Sequence, residues 1–151
     1  MQVFGGGFIN LQGGGLHFVS DARGTKLWVP EHPCDDHTKT AVGPTVRDLA
    51  TAMSSQPFLT VSKPVPATVG GEHGVFLTVR VPEDAETFRC VDSRVILYDD
   101  WVAGAGYVGR WWILDVGGDR FVVHAECSTS CSQDEVDRLT EMVESMTFAT
   151  R

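Results

Sequence analysis

Residues 110–126, RWWILDVGGDRFVVHAE, are the stretch that decides the fold of this chain. Two apolar runs flank the pair Gly117 and Gly118, and a two-residue glycine turn between such runs is typical of a β-hairpin. Side chains alternate between the two faces of a strand, so the adjacent Trp111 and Trp112 must point in opposite directions. We expect one of them in the core and the other facing outward or lying under a helix.

Further strands are predicted on the N-terminal side of this hairpin. The segment VFLTVRV alternates, with Val75, Leu77 and Val79 on one face, as in a half-buried strand. Strands joined by short turns, without alternating βαβ units, predict an antiparallel sheet. The other predicted strands are VFGGGFINLQ (3–12), GLHFVS (15–20), KLWVP (26–30), the edge segment FLTVSKPVPATV (58–69) and RVILYDDWV (94–102).

Two segments have helical spacing instead. In VGPTVRDLATAMSSQP, Thr45 is placed as the N-cap and Asp48 follows three residues later. In SQDEVDRLTEMVESM, Ser132 and Glu135 form a capping box ahead of an amphipathic repeat. The buried stripe of this second helix is predicted as Val136, Leu139, Met142, Val143 and Met146.

Length and composition indicate one globular domain. The chain has 151 residues, of which 42% are hydrophobic and 21% charged, as in an ordinary folded protein. We therefore expect a single α+β domain over residues 1–151, with an antiparallel sheet of about six strands and two helices packed on it. The N-terminal residues lack the features of a signal peptide, and we expect the chain to be the soluble part of a longer exported protein whose signal or anchor lies outside it.

Charge and hydropathy argue against two classes of partner. The formal net charge is -8 and the basic residues are scattered singly, so nucleic-acid binding is not expected. No run approaches the roughly 20 apolar residues that span a bilayer, so we do not expect this chain to insert into a membrane.

The hexapeptide HPCDDH at 32–37 has the residue types of a metal site. A zinc site would combine Cys34 and His37 with Cys127 and Cys131. The three-residue gap between the last two cysteines and the leftover Cys90 argue against zinc, and free thiols are a third alternative. We favour two disulfides and no metal, which would require an oxidising compartment and leave His32, Asp35, Asp36 and His37 as loop residues. The disulfide hypothesis pairs the cysteines as Cys34–Cys90 and Cys127–Cys131.

A longer pattern extends over residues 30–149. The runs VGPTV and PVPATVGG lie between Cys34 and Cys90, and RWWILDVGGDRFVVHAE and MVESMTF follow. In order and spacing this pattern resembles a module of actinobacterial exported and membrane-anchored proteins of unknown function. The resemblance implies an extracytoplasmic location and a sandwich of sheet and helices like the PsbP type. Cys127 and Cys131 depart from that pattern.

Aromatic residues are concentrated around the glycine loop AGAG at 103–106. A groove lined by them, with the loop as its lid, would suit a sugar, a peptide or an apolar small molecule. In the alternative interpretation these residues belong to the core and the cover of the sheet. The candidate ligand-binding residues are Tyr98, Trp101, Tyr107, Trp111 and His124.

The sequence thus predicts an extracytoplasmic, disulfide-bonded binding or sensor-type domain that is non-catalytic and uses no cofactor. One alternative is a small enzyme, a hydrolase or cyclase, in which His124 works with a nearby carboxylate in an aromatic-lined pocket. The chain has no Gly-x-Ser-x-Gly or His-Glu-x-x-His motif, and a strand histidine is more often structural. A structural or assembly module without a pocket is the other alternative.

Overall fold

A computed structural model gives the fold of this chain in eight described ranges, with two helices, α1 (Val46–Ser54) and α2 (Gln133–Glu144). The described residues are 7–11, 14–21, 27–34, 37–84, 89–90, 94–99, 101–128 and 131–149. The strands in these ranges are β1 (Gly7–Leu11), β2 (Gly14–Asp21), β3 (Trp28–Pro30), β4 (Lys39–Ala41), β5 (Thr60–Val61), β6 (Val65–Val69), β7 (Glu72–Arg80), β8 (Arg94–Tyr98), β9 (Trp101–Gly104), β10 (Tyr107–Val116) and β11 (Asp119–Ser128).

The main sheet is antiparallel, as the sequence predicts. Its strand order is β1-β2-β11-β10-β7-β5, and β6 also pairs with β7, which makes seven strands in the described part of the chain where about six were expected. The central hairpin β10–β11 turns at Gly117 and Gly118, with φ angles of 63° and 87°. Both values lie in the left-handed region that a tight hairpin turn requires, and this part of the prediction is confirmed.

The segment 94–102 differs from the single strand predicted for it. It contains β8 and the start of β9, which pair with each other as a separate two-stranded sheet. The chain reverses after Tyr98 at Asp99, whose φ is 47°, a conformation that aspartate tolerates better than most residues. The result is a hairpin that lies over the main sheet instead of extending it.

The sheet separates two apolar cores. Leu77, Ile113 and Trp111 pack on the face covered by α1 and by the two small sheets β3–β4 and β8–β9. Trp112 and Leu114 pack on the opposite face, which α2 covers. The opposed directions of Trp111 and Trp112 are confirmed, and both rings are buried because both faces of the sheet are covered.

Both helices begin at the predicted capping boxes. Thr45 accepts a hydrogen bond from the backbone of Asp48 and donates its own backbone N–H to that carboxylate, and Ser132 and Glu135 form the equivalent pair. These bonds lower the pKa of both carboxyl groups. The apolar stripe of α2 also lies where expected, with Leu139, Val143 and Met146 buried and Val136 and Met142 packed beside them.

All four cysteines form disulfides. Cys34 is bonded to Cys90 across 56 residues, and Cys127 to Cys131 across four. The cysteines of the zinc alternative are therefore not thiolates; His32 and His37 are exposed, and Asp35 and Asp36 lie outside the described residues. Two disulfides fit an oxidising, extracytoplasmic environment.

None of the helices in the described ranges is long and apolar enough to cross a bilayer.

The two disulfides should differ in their contribution to stability. A long closed loop restricts the unfolded chain more than a short one, and the chain-entropy model assigns roughly 4 kcal/mol to the long bridge and roughly 2 kcal/mol to the short one. We expect the pair of substitutions Cys34→Ser and Cys90→Ser to lower the free energy of unfolding more than Cys127→Ser and Cys131→Ser. Urea unfolding followed by circular dichroism measures both, and equal losses would contradict the assignment.

Candidate functional site

A cluster of histidine and aromatic side chains lies between the main sheet and the β8–β9 hairpin. It contains the candidate ligand-binding residues of the sequence, together with His17 from β2. We refer to this set as the histidine cluster. Its members are His17, Tyr98, Trp101, Tyr107, Trp111, His124 and Glu126.

His124 is at the centre of the histidine cluster and has no exposed surface. Strand pairing places it between His17 on β2 and Trp111 on β10. Its ring stacks on His17 with a centroid distance of 5.0 Å and on Trp111 with a centroid distance of 4.8 Å. His124 lies on the face opposite to Phe121 and Val123, since those two side chains belong to the other core.

The β8–β9 hairpin covers this row of rings. Trp101 of β9 stands at a steep angle to both imidazoles, with centroid distances of 4.2 Å to His17 and 4.5 Å to His124. Tyr98 of β8 lies 6.4 Å from His124 and 5.3 Å from Trp111, again edge to face. Such tilted geometries are those that aromatic rings prefer.

The polar atoms of His124 are poorly satisfied. Within the described part of the chain, neither ring nitrogen has a hydrogen-bond partner, and the same is true of the buried Nε1 of Trp101. Leaving one buried donor or acceptor unpaired costs about 1–3 kcal/mol. His17, in contrast, is 2.7 Å from Glu126 through its Nε2 atom, and that carboxylate is partly exposed.

Burial determines the protonation of His124. The loss of hydration, followed by the nearby His17, holds the pKa of His124 well below its usual range. The ring is therefore neutral at neutral pH. Because loss of hydration is the largest cause of this shift, the pKa of His124 depends on the elements that keep water away from its ring.

Gly109 leaves room for Tyr107 to reach Trp111. The Nε1–H of Trp111 donates to the hydroxyl of Tyr107 at 3.2 Å, and both groups lie over Gly109. A Cβ atom at position 109 would overlap the tyrosine hydroxyl. Burial raises the pKa of Tyr107, so this hydroxyl stays protonated.

The histidine cluster is a closed arrangement. Tyr98 is 2% exposed and Trp111 and His124 are fully buried, so a ligand reaches these three side chains only if their cover moves. The carboxylate of the cluster, Glu126, bonds to His17 and not to His124. In the described ranges no three His, Cys, Asp or Glu side chains are placed to hold a metal ion.

An open cleft lies elsewhere on the same side of the sheet. It has a volume of about 790 Å³ and runs between α1 and the end of the sheet at the β10–β11 turn. Its surface is mainly apolar, with Val46 and Ala50 from α1 facing Val75 of β7. His73 and Asp115 also line it, together with polar side chains of α1 such as Arg47 and Thr51. We refer to it as the α1 cleft.

Arg120 fixes the wall of the α1 cleft. Its side chain is 3% exposed, and its Nη1 atom donates to the backbone carbonyls of Gly43 and Thr45 at 2.6 and 3.0 Å. These bonds tie the segment before α1 to the central strand β11. The capping box then sets the direction of the helix from Thr45 onward.

Comparison with protein-family models, curated proteins and solved structures gives no match to this chain.

The sequence indicated one part of this arrangement and not the rest. The aromatic concentration around AGAG marked four members of the histidine cluster, Tyr98, Trp101, Tyr107 and Trp111, and His124 was marked separately as a histidine on a strand. The pairing of His17 with Glu126 joins residues 109 positions apart, and only the pairing of β2 with β11 brings them together. The α1 cleft had no signal in the sequence, since it forms from segments that are far apart in the chain.

The space over Gly109 can be tested directly. We expect Gly109→Ala to displace the Tyr107 ring, break its bond with Trp111 and lower the free energy of unfolding by about 1–3 kcal/mol. Gly117→Asn is the control, because that turn position is open and asparagine tolerates its positive φ. Thermal unfolding and near-UV circular dichroism would report both changes; an unchanged aromatic spectrum in Gly109→Ala would contradict this packing.

The burial of His124 predicts a loss of stability in mild acid. An unfolded histidine binds a proton below about pH 6.5, whereas folded His124 does not. The unfolded state then holds more protons, so the free energy of unfolding decreases as the pH is lowered. The decrease is at most about 1.4 kcal/mol per pH unit below pH 6.5.

Urea unfolding between pH 7 and pH 5 measures this slope. Carboxyl groups with a lowered pKa, such as Asp48 and Glu135, lose their stabilising effect only at lower pH. We expect His124→Leu to have a smaller slope than the wild type, and equal slopes would show that His124 is not the group responsible.

Proposed function

We propose that this chain is an extracytoplasmic binding domain and that the α1 cleft takes its ligand. The ligand class that fits is a small, mainly apolar molecule with one hydrogen-bonding end. The observation that carries the proposal is the α1 cleft itself, whose volume of about 790 Å³ falls within the roughly 300–1,000 Å³ typical of small-molecule sites.

The lining of the α1 cleft supports this ligand class. Val46, Ala50 and Val75 offer an apolar surface to the body of a ligand. Among its polar groups, the carboxylate of Asp115 accepts the backbone N–H of Gly118 at 2.8 Å, and the Nδ1 atom of His73 lies 3.0 Å from the Thr68 hydroxyl. An apolar surface with a few fixed polar groups is the usual composition of a binding pocket.

The rigidity of the cleft also favours binding. The capping box of α1 and the bonds from Arg120 hold the helix side, and the central hairpin holds the other. A site formed before the ligand arrives loses little entropy on binding.

The proposed location rests on two kinds of support. The disulfides favour an oxidising compartment. The resemblance to modules of actinobacterial exported proteins favours the same location, and a PsbP-like sandwich is part of what that resemblance implies. We include export, and membership of that group of modules, in the proposal.

A library of small fluorinated aromatic and aliphatic fragments, screened by ¹⁹F NMR, tests the binding proposal. We expect fragments with an apolar body and a polar end to bind and to shift the amide signals of residues 44–55 and 115–120. Thr51→Trp should weaken their binding at least tenfold, because Thr51 lines the cleft and its enlarged side chain would occupy it.

The matched control is Glu141→Trp, which adds the same side chain at an exposed position of α2, beyond the opposite face of the sheet. It should leave fragment binding unchanged. Failure of every fragment to bind, or binding that Thr51→Trp does not weaken, would rule out the α1 cleft as the ligand site.

A further inference from the structure

We propose that His124 and His17 form a proton-operated switch that releases the β8–β9 hairpin from the main sheet in mild acid. The inference is independent of the α1 cleft and concerns the histidine cluster alone. It assigns to this cluster a role that a purely structural core does not need.

The first support is the nature of the residue at the centre. A buried leucine or phenylalanine at position 124 would fill space without leaving polar atoms unpaired. His124 instead has two ring nitrogens without hydrogen-bond partners among the described residues, and the same holds for the Nε1 atom of Trp101, whose ring packs against it. The cluster thus holds a group that gains hydration, and can bind a proton, as soon as water reaches it.

The second support is the way in which the cover is built. The rings that close over His124 from the side opposite the sheet, Trp101 and Tyr98, both belong to the β8–β9 hairpin. The rings on its other sides, His17 and Trp111, belong to strands in the middle of the main sheet. Water therefore reaches His124 most readily by movement of the hairpin.

The third support is that the hairpin is a separate unit. Its two strands pair with each other and not with the main sheet, and an isolated two-stranded hairpin is marginally stable in water. Backbone bonds from Ile96 to Pro33 and from Asp99 to Trp28 hold one side of it. On its other side Val95, Leu97 and Ala103 are buried in the apolar core of that face, and Tyr98 and Trp101 contact the rings of the histidine cluster.

The charges around His124 determine the direction of the switch. The titratable groups that surround it are His17 from β2, Glu126 from β11, Tyr98 from β8 and Tyr107 from β10. Glu126 already bonds to His17, and α1 contributes apolar side chains to the same core. Positive charges on both rings, whose centroids are 5.0 Å apart, would repel each other.

Protonation of His124 is thus incompatible with the closed cluster. Loss of hydration and the nearby His17 both oppose it, and opening of the hairpin removes the first and weakens the second. Below the ordinary histidine pKa of about 6.5, each proton bound in the open form shifts the population toward that form. The opened face would present Trp101, Tyr98 and Trp111 to solvent.

Amide hydrogen exchange of the full chain, combined with an NMR titration of ¹³C-labelled histidine, tests the switch. The amides of 94–98 and 101–104 report the population of the open state. After correction for the pH dependence of intrinsic exchange, we expect this population to be at least tenfold larger at pH 5.5 than at pH 7.5. The amides of β10 and β11 should keep their protection. The ring-carbon signal of His124 should change with the same midpoint as the hairpin amides.

Two variants separate the switch from a general acid effect. His124→Leu should abolish the response of the hairpin, and His73→Gln, which removes an exposed histidine outside the cluster, should retain it. A hairpin that does not respond to pH, one that responds equally in His124→Leu, or loss of protection in β10 and β11 at the same pH would each overturn the proposal. If His124→Leu does not fold, the wild-type titration decides alone, because a ring carbon and hairpin amides that titrate separately contradict the coupling.

Discussion

The pairing of β10 with β11 is the constraint on which the rest of this structure depends. The turn at Gly117 and Gly118 fixes its register, and side chains on each strand then alternate between two covered faces. A slip of one residue would exchange the two faces, bringing the side chains of the α2 core under α1 and the reverse. Because both faces are covered, both sets of alternating residues on β11 are buried, and polar side chains at alternate positions are placed inside the protein. On the α1 side this set is Arg120, Val122 and His124, followed by the partly exposed Glu126.

The polar members of that set are accommodated in three different ways. Arg120 is buried but donates to backbone carbonyls, so its guanidinium connects the central strand to the start of α1. Glu126 lies near the surface and accepts from His17. His124, midway between them, has neither a carbonyl nor a carboxylate within reach of its ring nitrogens. β11 therefore borders the α1 cleft at Arg120 and contributes His124 and Glu126 to the histidine cluster. Of these three polar side chains, His124 is the one whose polar atoms are not compensated.

Local signals explain which features the sequence could predict. The Gly-Gly turn and the two capping boxes each lie within a few residues, and the helices and the central hairpin follow from them. The β8–β9 hairpin was not foreseen because its reversal uses Asp99 in a left-handed conformation, without the glycine that usually marks such a turn. The aromatic candidates do lie together, whereas His17 and Glu126 depend on the pairing of β2 with β11, strands that are not consecutive. Sequence periodicity determines which face a side chain occupies, but it does not determine which distant strand lies beside it.

Stability alone does not account for a histidine at position 124. With unpaired donors and acceptors costing about 1–3 kcal/mol each, an apolar side chain of similar size would give the same core at lower cost. A domain with two disulfides and an apolar core on each side of its sheet can tolerate that cost without losing its fold. The cost is also local, because it concerns the contact of one hairpin with one row of rings. A destabilising group placed where a small hairpin packs on the central strands weakens that contact, which is the property that a reversible opening requires.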